Sequence, residues 1–444
     1  MTVTETSPTS KHARYVLTPW SAQGGLDLPS IERAKGVYLY DDAGKRYLDL
    51  ASGLVAANLG HGNPAVLRAI AEQAARAAYV APSLFVGARA DLAEQLSELS
   101  PWPEGCRTFF TTGGGEANED ATKMARAITG RTKILTAYRS FHGSAPGAGT
   151  LTGESRRWPN EPATLPGVVR FFAPYPYRSP FNTTDPAIEC ERALEHLELV
   201  LTYENPQSVA ALLIEPIVGT NGVVVYPDGY LQGLRKIASR HGIVLIFDEV
   251  MTGFGRTGYS FASCRFGVVP DAMTFAKGVT GAYVPLGGVM LRESLAKHFD
   301  TRPLGCGHTY SGHPVAMAAA SAAIRVYQDE RLFERARTIE GWLQEGLSEL
   351  AERIPEIGDV RGVGAFFSLE FVKDRSTREP IVAWQGPQPG PLPALLGALR
   401  RHGVCTFGRF NVMMVAPPLI VTREELDEGF AALERAMKET FHDA

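Results

Sequence analysis

The sequence predicts an α/β protein: a large, mostly parallel sheet flanked by helices, with a smaller α+β unit attached. Two observations carry this. Between about residues 106 and 290, short apolar runs alternate with helical stretches, and runs such as VAALLI (Val209–Ile214) and IVLIF (Ile243–Phe247) are apolar on successive positions, as strands covered on both faces must be. After Pro314 the alternation gives way to a long helical region and then to mixed short elements.

Taken in order, residues 1–13 are polar and expected to fray. Gly36–Leu50 reads as two short strands around an Asp-Ala-Gly turn, and Pro64–Ala78 and Ala88–Leu99 carry apolar residues at helical spacing. Strands are predicted at Thr108–Thr111, Lys133–Thr136, Val209–Ile214, Ile243–Phe247 and Met273–Phe275. Helices are predicted at Asn118–Ile128, Ile188–Leu201 and Tyr230–His241. Residues 151–187 are rich in Pro and Arg and read as a long irregular insert, a feature more often functional than idle. One helical region is expected from Pro314 to about Arg353. The expected division is an N-terminal segment, 1–60, contributing to the small domain and the pocket, a large domain, 61–330, and a C-terminal small domain, 331–444.

Composition excludes several classes. The net charge is −4, from 44 Lys+Arg against 48 Asp+Glu, so there is no basic footprint for nucleic acid or anionic membrane. The opening MTVTETSPTSKHAR lacks the apolar stretch of a secretory signal, and no apolar run approaches a membrane span. Cys106, Cys190, Cys264, Cys306 and Cys405 are odd in number and scattered without CxxC spacing. Reduced thiols in the cytoplasm, and no metal site, are therefore expected.

The most informative stretch is Gly242–Gly258, GIVLIFDEVMTGFGRTG, where a buried strand ends in Asp248 and Glu249. Ligands of open α/β sheets bind at the carboxyl ends of strands. Lys277 follows Gly258 by 19 residues, at the end of another short strand. Alone, these would be a strand-end acid and a surface lysine. Together they match a demanding chemistry: a pyridine ring serves as an electron sink only if a buried carboxylate keeps its nitrogen protonated, and an aldehyde cofactor needs a lysine amine. Gly253–Gly258 also matches the GxGxxG of dinucleotide-binding folds. That fingerprint opens a helix directly from its strand, whereas here Asp248–Thr252 intervene and the following YSFASCRFGVVP reads as non-helical. In FFTTGGGEANEDATKMAR, three glycines separate a strand from a helix opened by Glu116, so the amides of Gly114 and Gly115 can cradle a phosphate.

FFTTGGGEAN, LIEP, LIFDEVMTGFGRTG, PDAMTFAKGVTGAYVPLGG and TYSGHP, in that chain order, resemble class III (omega-type) aminotransferases from about Trp20 to the C-terminal helix. The resemblance implies fold type I, pyridoxal 5'-phosphate as cofactor, Lys277 as the Schiff-base lysine and Asp248 as the partner of the ring nitrogen. It further implies Val250 on one face of the ring and Phe141, followed by His142, on the other. Gly114 and Gly115 match the phosphate loop, where relatives often carry Ser at the second position. Thr309 matches a residue reaching the phosphate of the neighbouring subunit, hence an obligate homodimer. Glu215 of LIEP matches an acid near the cofactor, or is an ordinary satisfied acid.

TPWSAQGG, LTGESRRWPN and APYPYRSPF are similar to the taurine–pyruvate aminotransferase branch. This implies an ω-amine with a remote anion as donor and a keto acid such as pyruvate as acceptor, in ping-pong order. Arg409 matches an arginine gripping substrate carboxylate, and is otherwise a surface arginine. Val55 stands where amine-selective relatives carry Trp, and Trp20 and Phe85 are pocket walls or core. A racemase, aminomutase or decarboxylase on the same scaffold, and more remotely a nicotinamide oxidoreductase, remain as alternatives.

Overall fold

The computed structural model describes residues 8–24, 26–386 and 390–442. Its centre is a seven-stranded sheet ordered Cys106–Thr111, Gly287–Arg292, Ala272–Phe275, Val244–Asp248, Val209–Ile214, Lys133–Ala137, Val168–Phe171. Four of its six pairings are parallel; the two made by Gly287–Arg292 are antiparallel. VLIFD is buried at every position because helices cover both faces. On one side Ala117, Ala121 and Met124 of the helix Gly114–Thr129 pack on Ile134, Leu213 and Ile246. On the other, Leu197, Leu234 and Ile324 of three further helices close the main core.

Register, more than composition, sets the site. In the parallel pairing of Val244–Asp248 with Ala272–Phe275, Asp248 lies opposite Thr274, so both strands end at the same edge and Lys277 follows immediately.

A four-stranded sheet joins Ile31–Lys35, Tyr38–Asp41 and Arg46–Asp49 to the distant Val404–Cys405. The Asp-Ala-Gly turn forms as expected, with Gly44 at φ +81° and Asp41 Oδ1 accepting from the amides of Ala43 and Lys45. A five-stranded sheet is built on Ile357–Val363, Phe366–Asp374 and Val412–Val415. Asn63 caps the helix Pro64–Ala77, and a Thr422–Glu425 capping box opens the helix Arg423–Phe441. Among the described residues no helix is long and apolar enough to cross a membrane.

Several expectations are corrected. Residues 151–187 are not wholly irregular: they hold a 3₁₀ stretch, Ser155–Ala163, and an edge strand, Val168–Phe171, made by pairing with Lys133–Ala137. Four residues flanked by prolines carry too little periodicity to announce a strand. The antiparallel Gly287–Arg292 was not foreseen because it opens on two glycines. A Cβ at Gly287 would meet the backbone of Gly113 at 2.6 Å, and one at Gly288 the Phe275 ring at 2.5 Å, so packing requires what propensity argues against. The helical region after Pro314 breaks at Arg331 (φ +51°) into Pro314–Asp329 and Leu332–Arg353. YSFASCRFGVVP does contain one helical turn, Ala262–Phe266, ended by Gly267. Of the segment expected to fray, residues 1–7 lie outside the described residues and Pro8–Tyr15 is an exposed helix.

Candidate active site

A cavity of about 390 Å³ opens at the carboxyl edge of the large sheet, lined among others by Gly114, Phe141, Asp248, Val250 and Lys277. Two strand ends, a glycine loop and the Phe141 turn converge there.

Asp248, 3% exposed, is the most tightly held group. Its Oδ2 accepts from Asn118 Nδ2 at 2.8 Å and lies 2.7 Å from His142 Nδ1, while Oδ1 accepts from the Val250 amide at 3.0 Å. Asn118 is fixed in turn, its Oδ1 accepting from Thr274 Oγ1 at 2.7 Å and its Nδ2 donating to the His142 carbonyl at 2.9 Å. A buried carboxylate with this support is held in one orientation.

Lys277 sits at φ +47°, in a backbone region that L-residues adopt only under constraint, at the step from strand to 3₁₀ turn. Burial pushes its amine down to about 8, while Asp248 and Glu215 pull the other way. The amine is therefore neutral in a substantial fraction near physiological pH, as a nucleophile or proton carrier must be. Glu215, 4% exposed, accepts from the Phe141 amide at 2.9 Å and from the Gly219 amide at 2.7 Å. Burial raises its carboxyl to about 7, with His142 opposing and Asp248 adding to the rise.

The helix Gly114–Thr129 starts from Gly113 with no side chain capping it, so its first amides face the cavity without intrahelical partners. A Cβ at Gly114 would lie 2.8 and 2.9 Å from the Val250 methyls, so only glycine lets this loop approach the Asp248 turn. At Gly115 a Cβ finds only ordinary contacts, so packing does not require glycine there. An anion cradle, a buried carboxylate and an amine around one cavity fit pyridoxal phosphate.

Of the other residues singled out from sequence, Phe141, His142, Glu215 and Val250 all line this cavity. Trp20 is 64% exposed and meets the Phe141 ring edge-on at 6.2 Å. Val55 is buried behind the cavity, clustered with Met251, which lines it. Phe85 is fully exposed and is not among the residues lining the cavity in its own chain. Thr309 is likewise exposed and outside the cavity, its carbonyl accepting from Tyr79 Oη at 3.0 Å.

Arg409 reaches inward: Nη1 lies 3.1 Å from Oε2 of Glu154, a fully buried acid. The residue that sequence reading missed is Arg156. Its guanidinium lies 3.7 Å over the Phe141 ring, pairs with Glu154 and donates to Thr220 Oγ1 at 2.8 Å. The Arg156-Arg157 pair was the available signal, but nothing in it tells which arginine turns inward. Arg157 ion-pairs with Glu161 instead.

The Gly253–Gly258 stretch runs through turns and opens no helix. Gly255 (φ +87°) admits no side chain beside Leu419 and Phe333, so its glycines serve packing.

The same architecture occurs in solved enzymes. The taurine:2-oxoglutarate aminotransferase from Bifidobacterium kashiwanohense, in complex with PLP and glutamate, superposes with a TM-score of 0.93 at 41% identity, over 96% of each chain. An (S)-enantioselective omega-transaminase from Thermomicrobium roseum gives 0.92 at 36%, over 97% of this chain and 98% of that one. Fold and site thus define a pyridoxal-phosphate enzyme of fold type I. More particularly, the family model for aminotransferase class-III matches residues 22–437, and the chain belongs to that family. It is a transaminase acting on an amine and a keto acid. The family also reaches other chemistry: a leucine/methionine racemase from Thermococcus litoralis is 35% identical over 91% of this chain and 89% of its own.

Proposed function

We propose that the amino donor is an ω-amine bearing a remote anion, such as taurine or a β- or ω-amino acid, and that the acceptor is a keto acid such as pyruvate. The observation that carries this is a charge count. Arg156 and Arg409 share one buried carboxylate, Glu154, which leaves one positive charge beside the Phe141 ring for an anion to neutralise. The Bifidobacterium neighbour takes 2-oxoglutarate, so both keto acids belong in the assay.

In this reading Lys277 holds the cofactor covalently, the amides of Gly114 and Gly115 hold its phosphate, Asp248 pairs with the ring nitrogen, and Val250 and Phe141 contact the ring. His142 and Glu215 set the orientation of Asp248 and of the Phe141 amide. The cofactor supplies a carbon that accepts the amino group and a ring that delocalises the carbanion charge. Once the donor's amine has taken its place on the cofactor, the freed Lys277 Nζ would move the proton from the amine-bearing carbon of the donor, as base and then as acid. Asp248 fixes positive charge at the ring nitrogen through both steps. Arg156 and Arg409 orient first the donor's anion and then the keto acid's carboxylate, so that one pocket serves both halves of a ping-pong cycle. Trp20 closes the outer side through its contact with Phe141.

The same reading includes an obligate homodimer, in which the partner subunit's Thr309 completes the phosphate site. The exposed Phe85, Tyr79 and Tyr310 support a covered face there. It includes a cytoplasmic location, supported by five free cysteines. It also keeps the division into 1–60, 61–330 and 331–444, supported by the pairing of Arg46–Asp49 with Val404–Cys405.

The test is keto-acid-dependent amine loss from taurine, β-alanine, an aryl-ethylamine and a diamine, each with pyruvate and with 2-oxoglutarate. Turnover requires an anionic donor and a keto acid, and Lys277→Ala abolishes it. Racemisation of a neutral amino acid without keto acid would instead favour the second reading, drawn from the Thermococcus relative.

A further inference from the structure

On the far side of the Phe141 turn lies a second cavity of about 260 Å³, sharing no lining residue with the first. Its walls include Tyr138, Phe172, Tyr175 and Trp384, with Arg139 and Arg178 supplying charge. Arg139 is the unusual member. Its backbone is held at φ +70°, and its guanidinium is stacked 3.7 Å over the Trp384 ring and 4.7 Å over Tyr175. Its hydrogen bonds run only to the Asn221 carbonyl, at 3.3 and 3.1 Å, and it pairs with no carboxylate among the described residues.

The nearest acid does not serve it. Glu370 already accepts from Tyr175, Arg178 and Asn411, and Arg361 lies 2.8 Å away, itself shared with Asp359. Two further donors on the cavity residues lack partners, Trp384 Nε1 and Arg178 Nη2, both buried. Burial lowers the Arg139 pKa, with Tyr175 and Glu370 opposing. A partly buried guanidinium with no carboxylate partner among the described residues, beside buried orphaned donors, leaves a positive charge for an anion to neutralise.

We propose that this cavity is a binding site for a small planar aromatic carboxylate, separate from the site of transamination. The carboxylate meets the planar fork of Arg139, and the ring lies among four aromatic side chains. The volume lies just below that of pockets for drug-sized ligands, which suits a single ring. Phosphate or sulfate would satisfy the charge but leave the aromatic walls unused.

The proposal does not depend on the identity of the amine donor. It is tested on the cofactor-loaded enzyme by fluorine NMR with 4-fluorobenzoate, with uncharged 4-fluorobenzamide as control. Saturable binding of 4-fluorobenzoate alone, one per chain, is expected. Losing one charge-assisted contact weakens it by about tenfold or more in Arg139→Gln, and Trp384→Leu, which removes the stacking wall and one donor, weakens it independently. No saturable binding at millimolar probe would overturn the proposal. So would binding that both variants leave intact, since the probe would then lie outside this cavity.

Discussion

Replacing Arg156 with Gln separates charge recognition from the rest of catalysis. The variant loses the guanidinium 3.7 Å over Phe141, while Arg409 keeps Glu154 at 3.1 Å, so the surplus positive charge of the pocket disappears. A charge-assisted hydrogen bond contributes about 1.5–3 kcal/mol. At about 1.4 kcal/mol per tenfold, kcat/KM for taurine falls roughly 10- to 150-fold. A neutral donor of similar length loses only packing on the ring and stays within about threefold of wild type. Arg156→Lys recovers part of the loss, because a point charge remains without the planar fork. The assay measures initial rates for both donors at saturating keto acid, with cofactor absorbance confirming equal loading. Equal losses for the charged and neutral donors, or an undiminished taurine rate, would mean that Arg156 does not read the donor's charge.

Three further outcomes are expected. In cofactor-free enzyme, capture of pyridoxal phosphate depends on neutral Lys277, so its rate climbs through about pH 8 and then levels; a rate still rising steeply above about pH 9 contradicts the depressed amine. Glu215 binds its proton up to about pH 7 when folded but only to about 4.5 when unfolded, so its contribution to stability is full below 4.5 and lost as pH rises through about 7. Glu215→Gln removes that loss, and its Tm relative to wild type should improve between about pH 5 and pH 8; a constant difference would show that the carboxyl is not perturbed. Gly114→Ala forces a methyl within 2.9 Å of Val250, costing about 1–3 kcal/mol in the cofactor-free Tm and weakening cofactor retention. Unchanged values for both would mean that the loop has room.

What the chain order alone determined is the part governed by local pattern. The fully apolar run at Val209–Ile214, the helix Tyr230–His241 and the capped helix Pro64–Ala77 were legible because buried strands and amphipathic helices have distinct periods. Asp248, Lys277 and the glycine loop were legible because strand ends and helix starts have fixed places in an open α/β sheet. The tertiary structure decided what depends on partners distant along the chain. Val168–Phe171 becomes a strand only through its neighbour, and Gly287 and Gly288 enter the sheet only because other backbone and rings crowd them. Arg156 reaches the Phe141 ring and Arg157 does not, because Glu154 and Thr220 hold the one and Glu161 the other. Periodicity reports which face of an element is buried; it carries no record of which charge will meet which across the fold.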